Sequence, residues 1–181
     1  MNRGSLTDAE LLLLGLIAEM PRHGYELKQA IEIRGMREWT AIGSSSVYFV
    51  LAKLEAAGLV IADTPAGIKD KKTYTVTPEG RTALVTKTIE ALSRFRPAYS
   101  SVLLGMAHWP ALSRTEALSA LAARGESVAN ELRRLERLRV AQQPQPDFIE
   151  ALFDFSAGQL QAEQQWIATT LAYMQTKPWN E

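Results

Sequence analysis

The chain has 181 residues, of which 46% are hydrophobic, so it can bury the core of one or two small domains. Its 20 Lys and Arg residues balance its 20 Asp and Glu residues, so no global positive field attracts nucleic acid or a membrane surface. The absence of cysteine excludes disulfides, thiolate catalysis and zinc–thiolate sites. The apolar run from Leu11 to Ala18 is too short to span a bilayer and follows acidic residues, so we expect a soluble cytoplasmic protein.

Two short helices are predicted first. Thr7 and Glu10 have the spacing of a capping box, which predicts a helix from about residue 8 to residue 19. A second helix is predicted over residues 25–34, and Gly35 ends it.

The third predicted helix, Ser44–Ala57, has two different sides, and Gly58 is the residue that ends it. At 100° per residue, the apolar side carries Val47, Val50, Leu51 and Leu54, and the other side carries Ser45, Phe49, Ala52, Lys53 and Ala56. Two strands are predicted next, at residues 59–64 and 72–77, and a fourth helix begins with Thr77 as its cap and Pro78 at its first position.

This order of elements predicts a mainly α fold. Residues 1–92 are expected to form a winged helix-turn-helix DNA-binding domain, in which the third helix enters a DNA groove and the strand hairpin is the wing. Residues 93–181 are expected to form an all-helical dimerisation domain that also has the potential to bind an effector.

The second half of the chain predicts a pair of long antiparallel helices joined by a proline-containing turn at residues 143–146. Apolar residues recur on them at heptad-like spacing, which is typical of a helix seam. Because such a seam is usually too wide for one hairpin, we expect the same hairpin of a second subunit to cover it. The predicted dimerisation residues are Leu118, Leu121, Val128, Leu132, Leu135, Leu160, Ile167, Leu171 and Met174.

Small hydroxyl residues at the front of the third helix favour a close approach to DNA. Ser44 is placed to cap the helix, Ser45 and Ser46 offer hydroxyls to phosphate, and Tyr48 adds a longer phenol reach. On the outer side, Phe49 and Ala52 can touch thymine methyl groups, and Lys53 can contact a phosphate. The wing cations expected to contact the DNA backbone are Lys69, Lys71 and Lys72.

The same residues also have simpler interpretations. Serines before a helix are often only caps, lysines in a loop are often only solvated, and the Tyr48 ring can pack at the domain edge. Residues 1–80 hold nine Lys and Arg against ten Asp and Glu, so a DNA-binding face must concentrate its cations locally. Arg3, Arg34 and Arg37 are the candidates to help.

Three ordered motifs in about residues 6–84 resemble the PadR family of transcriptional regulators: "LLGLIAEMPRHGYELKQAIE", "SSSVYFVLAKLEAAGLV" and "KKTYTVTPEGRTAL". The resemblance implies a DNA-facing helix with Ser45, Ser46 and Tyr48. It places His23, Gly24 and Tyr25 at the start of the second helix, and Lys71, Lys72 and Tyr74 at the wing. The chain departs from many members at Phe49, where they have proline, and at Lys53, where they have arginine.

The helical second half is similar to the longer-tailed subfamily, whose members resemble the virulence activator AphA. That resemblance implies a homodimer on a pseudo-palindromic, double-stranded operator, acting as a repressor that a small aromatic or hydrophobic compound releases. Trp109 and Trp166 are the candidate effector residues, although aromatic residues at helical spacing are more often part of a core. No cofactor, metal or membrane partner is expected.

An enzyme and a protein-binding module are the two alternative functions. The sequence lacks the residues and motifs that nucleophilic or metal-dependent catalysis usually needs. It has only two histidines, no cysteine, and neither a phosphate-binding glycine loop nor an HExxH motif. A winged-helix module that binds protein instead of DNA is the alternative that the neutral charge favours. Its binding would depend little on salt, whereas binding to phosphates would weaken steeply.

Overall fold

A computed structural model describes residues 6–38, 40, 42–43, 46–63 and 72–177. The chain divides into two compact units, Met1–Pro97 and Ala98–Glu181. The domain boundary expected after residue 92 falls in the last turn of a helix that ends at Ser93, so the first unit extends a few residues further.

The described residues of the first unit form four α-helices and three short strands. In chain order these are α1 (Asp8–Glu19), β1 (Arg22–His23), α2 (Gly24–Ile33), α3 (Ser46–Ala56), β2 (Val60–Asp63), β3 (Thr73–Val76) and α4 (Pro78–Ser93).

Local capping explains where these helices begin and end. The Thr7 amide donates to Glu10 Oε2 at 2.7 Å and the Glu10 amide donates to Thr7 Oγ1 at 3.3 Å, which confirms the predicted capping box. Gly35 and Gly58 have φ values of 62° and 71°, the left-handed conformation that favours glycine after a helix. Thr77 caps α4, because its Oγ1 accepts the Gly80 amide at 3.0 Å.

The three strands form one antiparallel sheet in the order β1–β3–β2. β1 was not predicted, since a strand of two residues has no alternation to detect. It exists through pairing with β3, in which Arg22 lies opposite Tyr74 and His23 lies opposite Thr73. The sheet and the helices enclose one core, whose fully buried members include Leu13, Leu14, Leu16, Ile17, Leu27, Ile31, Val47, Leu51, Leu54 and Val60.

The second unit contains α5 (Ser101–Ala107), α6 (Arg114–Ala141) and α7 (Asp147–Thr176). The two long helices pack as the predicted antiparallel hairpin, and Arg114 Nη2 ties their ends by donating to the Met174 carbonyl oxygen at 2.8 Å. The buried residues of the seam are Ala117, Leu121, Val128, Leu135, Phe153, Ile167 and Met174. A single chain therefore covers most of this seam by itself.

The predicted fold class, a winged helix-turn-helix domain followed by a helical region, is confirmed. Among the described residues, no helix combines the length and the apolar character that crossing a membrane requires.

Candidate nucleic-acid interface

Helix α3 separates its apolar and outward sides as the periodicity predicted. Val47, Val50, Leu51 and Leu54 are buried, whereas Tyr48 and Phe49 keep 52% and 63% of their surface exposed. Ala52, Lys53 and Ala56 are also exposed. The first unit therefore presents one side of α3 to solvent, with its aromatic residues near the first turn.

Tyr48 lies against the beginning of α2. Its ring occupies the place that a side chain at Gly24 would take, because a Cβ atom there would lie 2.5 Å from Tyr48 Cε1. Lys28, one turn further along α2, places its Nζ over the ring at 4.5 Å from the centroid, a distance typical of a cation–π contact. Helix α2 thus holds the ring on the outward side of α3.

Phe49 and Lys53 form a second aromatic–cation pair on α3. The Lys53 Nζ lies 4.8 Å from the centre of the Phe49 ring and 4.0 Å from Glu10 Oε1 of α1. The ammonium group is therefore held beside the exposed apolar surface of the helix, with a carboxylate near it.

The base of the wing is linked to both β1 and α3. Lys72 Nζ donates to Glu55 Oε2 of α3 at 3.5 Å, and both side chains are partly exposed. His23 Nδ1 lies 3.2 Å from the Lys72 carbonyl oxygen and 3.1 Å from Thr73 Oγ1. These contacts keep the Lys72 ammonium close to the end of α3 opposite Tyr48.

The predicted site residues differ in what the structure says of them. Ser44, Ser45, Lys69 and Lys71 lie outside the described residues, as does Arg3. Ser46 begins α3 and is half-buried, and its amide donates to the Gly43 carbonyl oxygen at 3.0 Å.

Tyr74 needs a correction. The resemblance placed it at the DNA-contacting wing, but its side chain is only 7% exposed and belongs to the core of the first unit. Burial raises the pKa of its phenol. β3 alternates, so Tyr74 and Val76 point inward together, and Tyr74 supports the wing without reaching its surface.

The two additional arginines considered for the DNA face are engaged elsewhere. Arg34 Nη1 donates to Glu19 Oε1 at 2.6 Å, and this hydrogen bond lowers the pKa of the Glu19 carboxyl group. Arg37 forms an ion pair with Glu32 at 2.6 Å and also donates to the Ile42 carbonyl oxygen. Both guanidinium groups stabilise the α2 region of the first unit.

Lys28 is a residue of the candidate interface that the sequence did not predict. Its only signal was its position four residues after Gly24, which places both residues on one side of α2. The contact with Tyr48 joins two helices and therefore has no pattern in the sequence.

A concave surface of the first unit lies between α1, α3 and α4 and has a volume of about 960 Å³. It mixes apolar and charged residues, namely Leu6, Leu54, Leu59, Ala83, Glu10, Lys53, Lys87 and Glu90. Lys87 is buried and donates to Glu90 Oε2 at 3.3 Å. Within the described part of the chain, no group of three or more His, Asp and Glu side chains is arranged to hold a metal ion.

The candidate effector residues lie in the second unit. Trp109 and Trp166 are half-buried and both pack on the small core formed by Ala117, Leu121 and Met174. Their rings therefore contribute to the packing of this unit and leave part of their surface exposed.

Comparisons with known proteins agree with this fold. Residues 13–86 match the family described as the transcriptional regulator PadR-like family. The chain is similar to the crystal structure of Bacillus subtilis PadR in complex with operator DNA, with a TM-score of 0.72 and 21% identity over 91% of this chain and 98% of that one. It is similar to the same protein in complex with p-coumaric acid, with a TM-score of 0.74 and 22% identity over 92% and 98%.

A PadR-like transcriptional regulator from Bacillus cereus has a TM-score of 0.64 and 19% identity over 94% of this chain and 100% of its own. No curated protein matches the sequence. At these identities the structural likeness establishes the fold, and the family match covers the helix-turn-helix and wing segment.

Proposed function

We propose that this chain, whose residues 13–86 match the transcriptional regulator PadR-like family, is a member of that family and a sequence-specific DNA-binding repressor that acts as a homodimer. The observation that carries the proposal is the outward side of α3, where Tyr48 and Phe49 are exposed near the first turn and the Lys72 ammonium lies by Glu55 at the other end of the helix. A helix with one exposed side has the shape that a DNA major groove admits.

Each residue of this face has a proposed role. The hydroxyls of Ser46 and Tyr48 donate to phosphate oxygens, and Phe49 and Ala52 contact thymine methyl groups. The cations that neutralise phosphates are Lys53 and Lys72, together with Lys28, Lys69 and Lys71, and Ser44 and Ser45 complete the start of the helix. Tyr74 is left out because it is buried.

We place the dimer contact on the second unit. Five of the predicted seam residues (Leu121, Val128, Leu135, Ile167 and Met174) are already buried within one chain, so they hold the hairpin together. The half-buried residues Leu118, Leu132, Leu160 and Leu171 remain available to a second copy. A two-fold dimer would present its two α3 helices about one DNA turn apart, roughly 34 Å.

The proposed effector is a small aromatic or hydrophobic compound. A protein of similar fold has been crystallised with p-coumaric acid, and the partly exposed rings of Trp109 and Trp166 offer flat apolar surface. Membership in the longer-tailed subfamily that resembles AphA belongs to the same proposal. Tryptophan fluorescence titrated with a panel of phenolic acids tests it, and an unchanged signal would contradict the assignment of these two residues.

Selection of binding sites from random DNA duplexes tests the main proposal. We expect an enriched site with two-fold symmetry, because a symmetric dimer reads two inverted half-sites. Tyr48→Ala should weaken binding to that site by about tenfold for each subunit, the value of one hydrogen bond to a charged group. Lys71→Ala/Lys72→Ala should weaken binding to all sequences and flatten its salt dependence.

Native circular dichroism of each variant is the control for folding. If no duplex is enriched and binding to DNA is insensitive to salt, the DNA-binding function is wrong. The remaining interpretation is then the winged-helix module that binds protein.

A further inference from the structure

Position 24 has no room for a side chain, because the Tyr48 ring lies next to it. The positive φ values among the described glycines belong to Gly35 and Gly58, so the backbone of Gly24 is one that any residue can adopt. A Cβ atom at Gly24 would lie 2.5 Å from Tyr48 Cε1 and 3.3 Å from both Cδ1 and Cζ of the same ring. Since carbon atoms in contact are about 3.5–4.0 Å apart, the ring occupies the place that a side chain would take.

The ring has a second contact on the same helix. Lys28 follows Gly24 by four residues and therefore lies on the same side of α2, and its Nζ is 4.5 Å from the centre of the Tyr48 ring. Two features of α2 thus set the position of the half-exposed Tyr48 ring: the absence of a side chain at Gly24 and the ammonium group of Lys28.

We propose that Gly24 is a positioning residue for DNA recognition: the absence of its side chain determines where Tyr48 holds its phenol, and Lys28 keeps the ring there. This inference rests on the proposed function, in which the Tyr48 hydroxyl donates to the DNA backbone. Gly24 itself is buried, so its proposed role acts through the Tyr48 ring.

The physical gain is preorganisation. A tyrosine that is already held in one position loses little rotamer freedom when it binds, so more of the energy of its contact is available as affinity. A methyl group at Gly24 must displace the ring by about 1 Å to restore a normal carbon–carbon separation. Hydroxyl–phosphate hydrogen bonds span only about 2.5–3.0 Å, so a displacement of this size breaks the contact.

The test is a double-mutant cycle on affinity for the selected duplex, with Gly24→Ala, Tyr48→Ala and the two changes together. We expect Gly24→Ala to weaken binding by about tenfold for each subunit, as Tyr48→Ala does, because both remove the same contact. In the Tyr48→Ala background, Gly24→Ala should change the affinity by less than about twofold, since the ring it displaces is no longer there. Gly15→Ala is the matched control, because its Cβ would lie at an ordinary 3.9 Å from Leu84 Cδ1, and its affinity should stay that of the wild type.

The outcomes separate this inference from the proposed function. If Tyr48→Ala weakens binding and Gly24→Ala does not, the positioning role is overturned and the DNA face stands. If the losses from the two changes multiply, Gly24 acts through something other than the ring, and the inference is again overturned. If Tyr48→Ala leaves the affinity unchanged, or no duplex is enriched, the DNA face itself is wrong and the inference falls with it.

A variant that does not fold is also informative. Should Gly24→Ala lose its native circular dichroism spectrum, the double variant decides, because removing the ring opens the space that the methyl group needs. A native spectrum and the affinity of Tyr48→Ala in the double variant support the positioning role. A double variant that remains unfolded overturns it.

Discussion

The ion pair between Lys72 and Glu55 gives a prediction in which removing a charge improves binding. The wing lysine reaches Glu55 Oε2 at 3.5 Å, and the carboxylate sits on the helix proposed to enter the DNA groove. When Lys72 contacts a phosphate, Glu55 either loses its partner or remains next to the anionic backbone. Both situations cost free energy, and Glu55→Gln removes that cost.

The size of the effect follows from the geometry. Two unit charges 3.5 Å apart interact by about 1 kcal/mol in water, and measured pairs with exposed side chains contribute about 0.2–1 kcal/mol. This range corresponds to an affinity gain of about 1.4- to 5-fold for each subunit, and to about 2- to 30-fold for a two-fold dimer on a symmetric site. The slope of log affinity against log salt should become steeper by up to about 0.9 for each phosphate newly neutralised.

Fluorescence anisotropy with the selected duplex, measured between about 50 and 200 mM salt, provides the assay. Glu126→Gln is the matched control, because it changes the net charge of the chain equally and lies on an exposed position of α6. We expect Glu126→Gln to bind within a factor of about 1.4 of the wild type, below the range worked out for Glu55→Gln. Equal affinities for the two variants would refute the reasoning, because the gain would then come from net charge and not from the pair.

Two further predictions concern the stability of the first unit. Gly80→Ala should lower the free energy of unfolding by about 1–3 kcal/mol, because the new Cβ would lie 2.0 Å from the Leu59 main-chain oxygen. Gly105→Ala is the control and should not lower it, because its new Cβ meets no atom within 4 Å. Equal urea midpoints for the two variants would contradict this prediction. A hydrogen bond from Lys87 lowers the pKa of the Glu90 carboxyl group below its usual 4.5, so its stabilising contribution is present above that pH and is lost as the pH falls through the lowered value. Glu90→Gln should therefore reduce the loss of stability between pH 7 and pH 3 in urea titrations, and an unchanged loss would exclude this carboxyl group as a contributor.

Much of the fold was predictable because its signals are local. The capping residues Thr7 and Thr77 predicted the starts of α1 and α4, and the helical period of α3 separated its buried residues from its exposed ones. β1 could not be predicted, since its two residues become a strand only by pairing with β3. The burial of Tyr74 could have been predicted from the sequence, because the alternation of β3 places it with Val76 on the inner face.

The contacts of the candidate site were less accessible to sequence reasoning. Lys53 meets Glu10 and Lys72 meets Glu55 across long separations in the chain, and any of the many carboxylates would have been an equally plausible partner. The Gly24–Tyr48 contact has the same character: the glycine suggests a turn or a close approach, but only the packing of α2 on α3 shows which ring approaches it.

The local pairing of charges bears on how a neutral chain can recognise DNA. Lys53 lies 4.0 Å from Glu10 and Lys72 lies 3.5 Å from Glu55, so each of these phosphate contacts exchanges a protein carboxylate for a phosphate and gains little free energy. Non-specific binding depends almost entirely on such charge contacts, so we expect it to be weak. The contacts that distinguish sequences, made by the exposed residues of α3, then supply a larger share of the affinity. Weak general attraction and precise placement of Tyr48 therefore act in the same direction, because both raise the ratio of specific to non-specific binding.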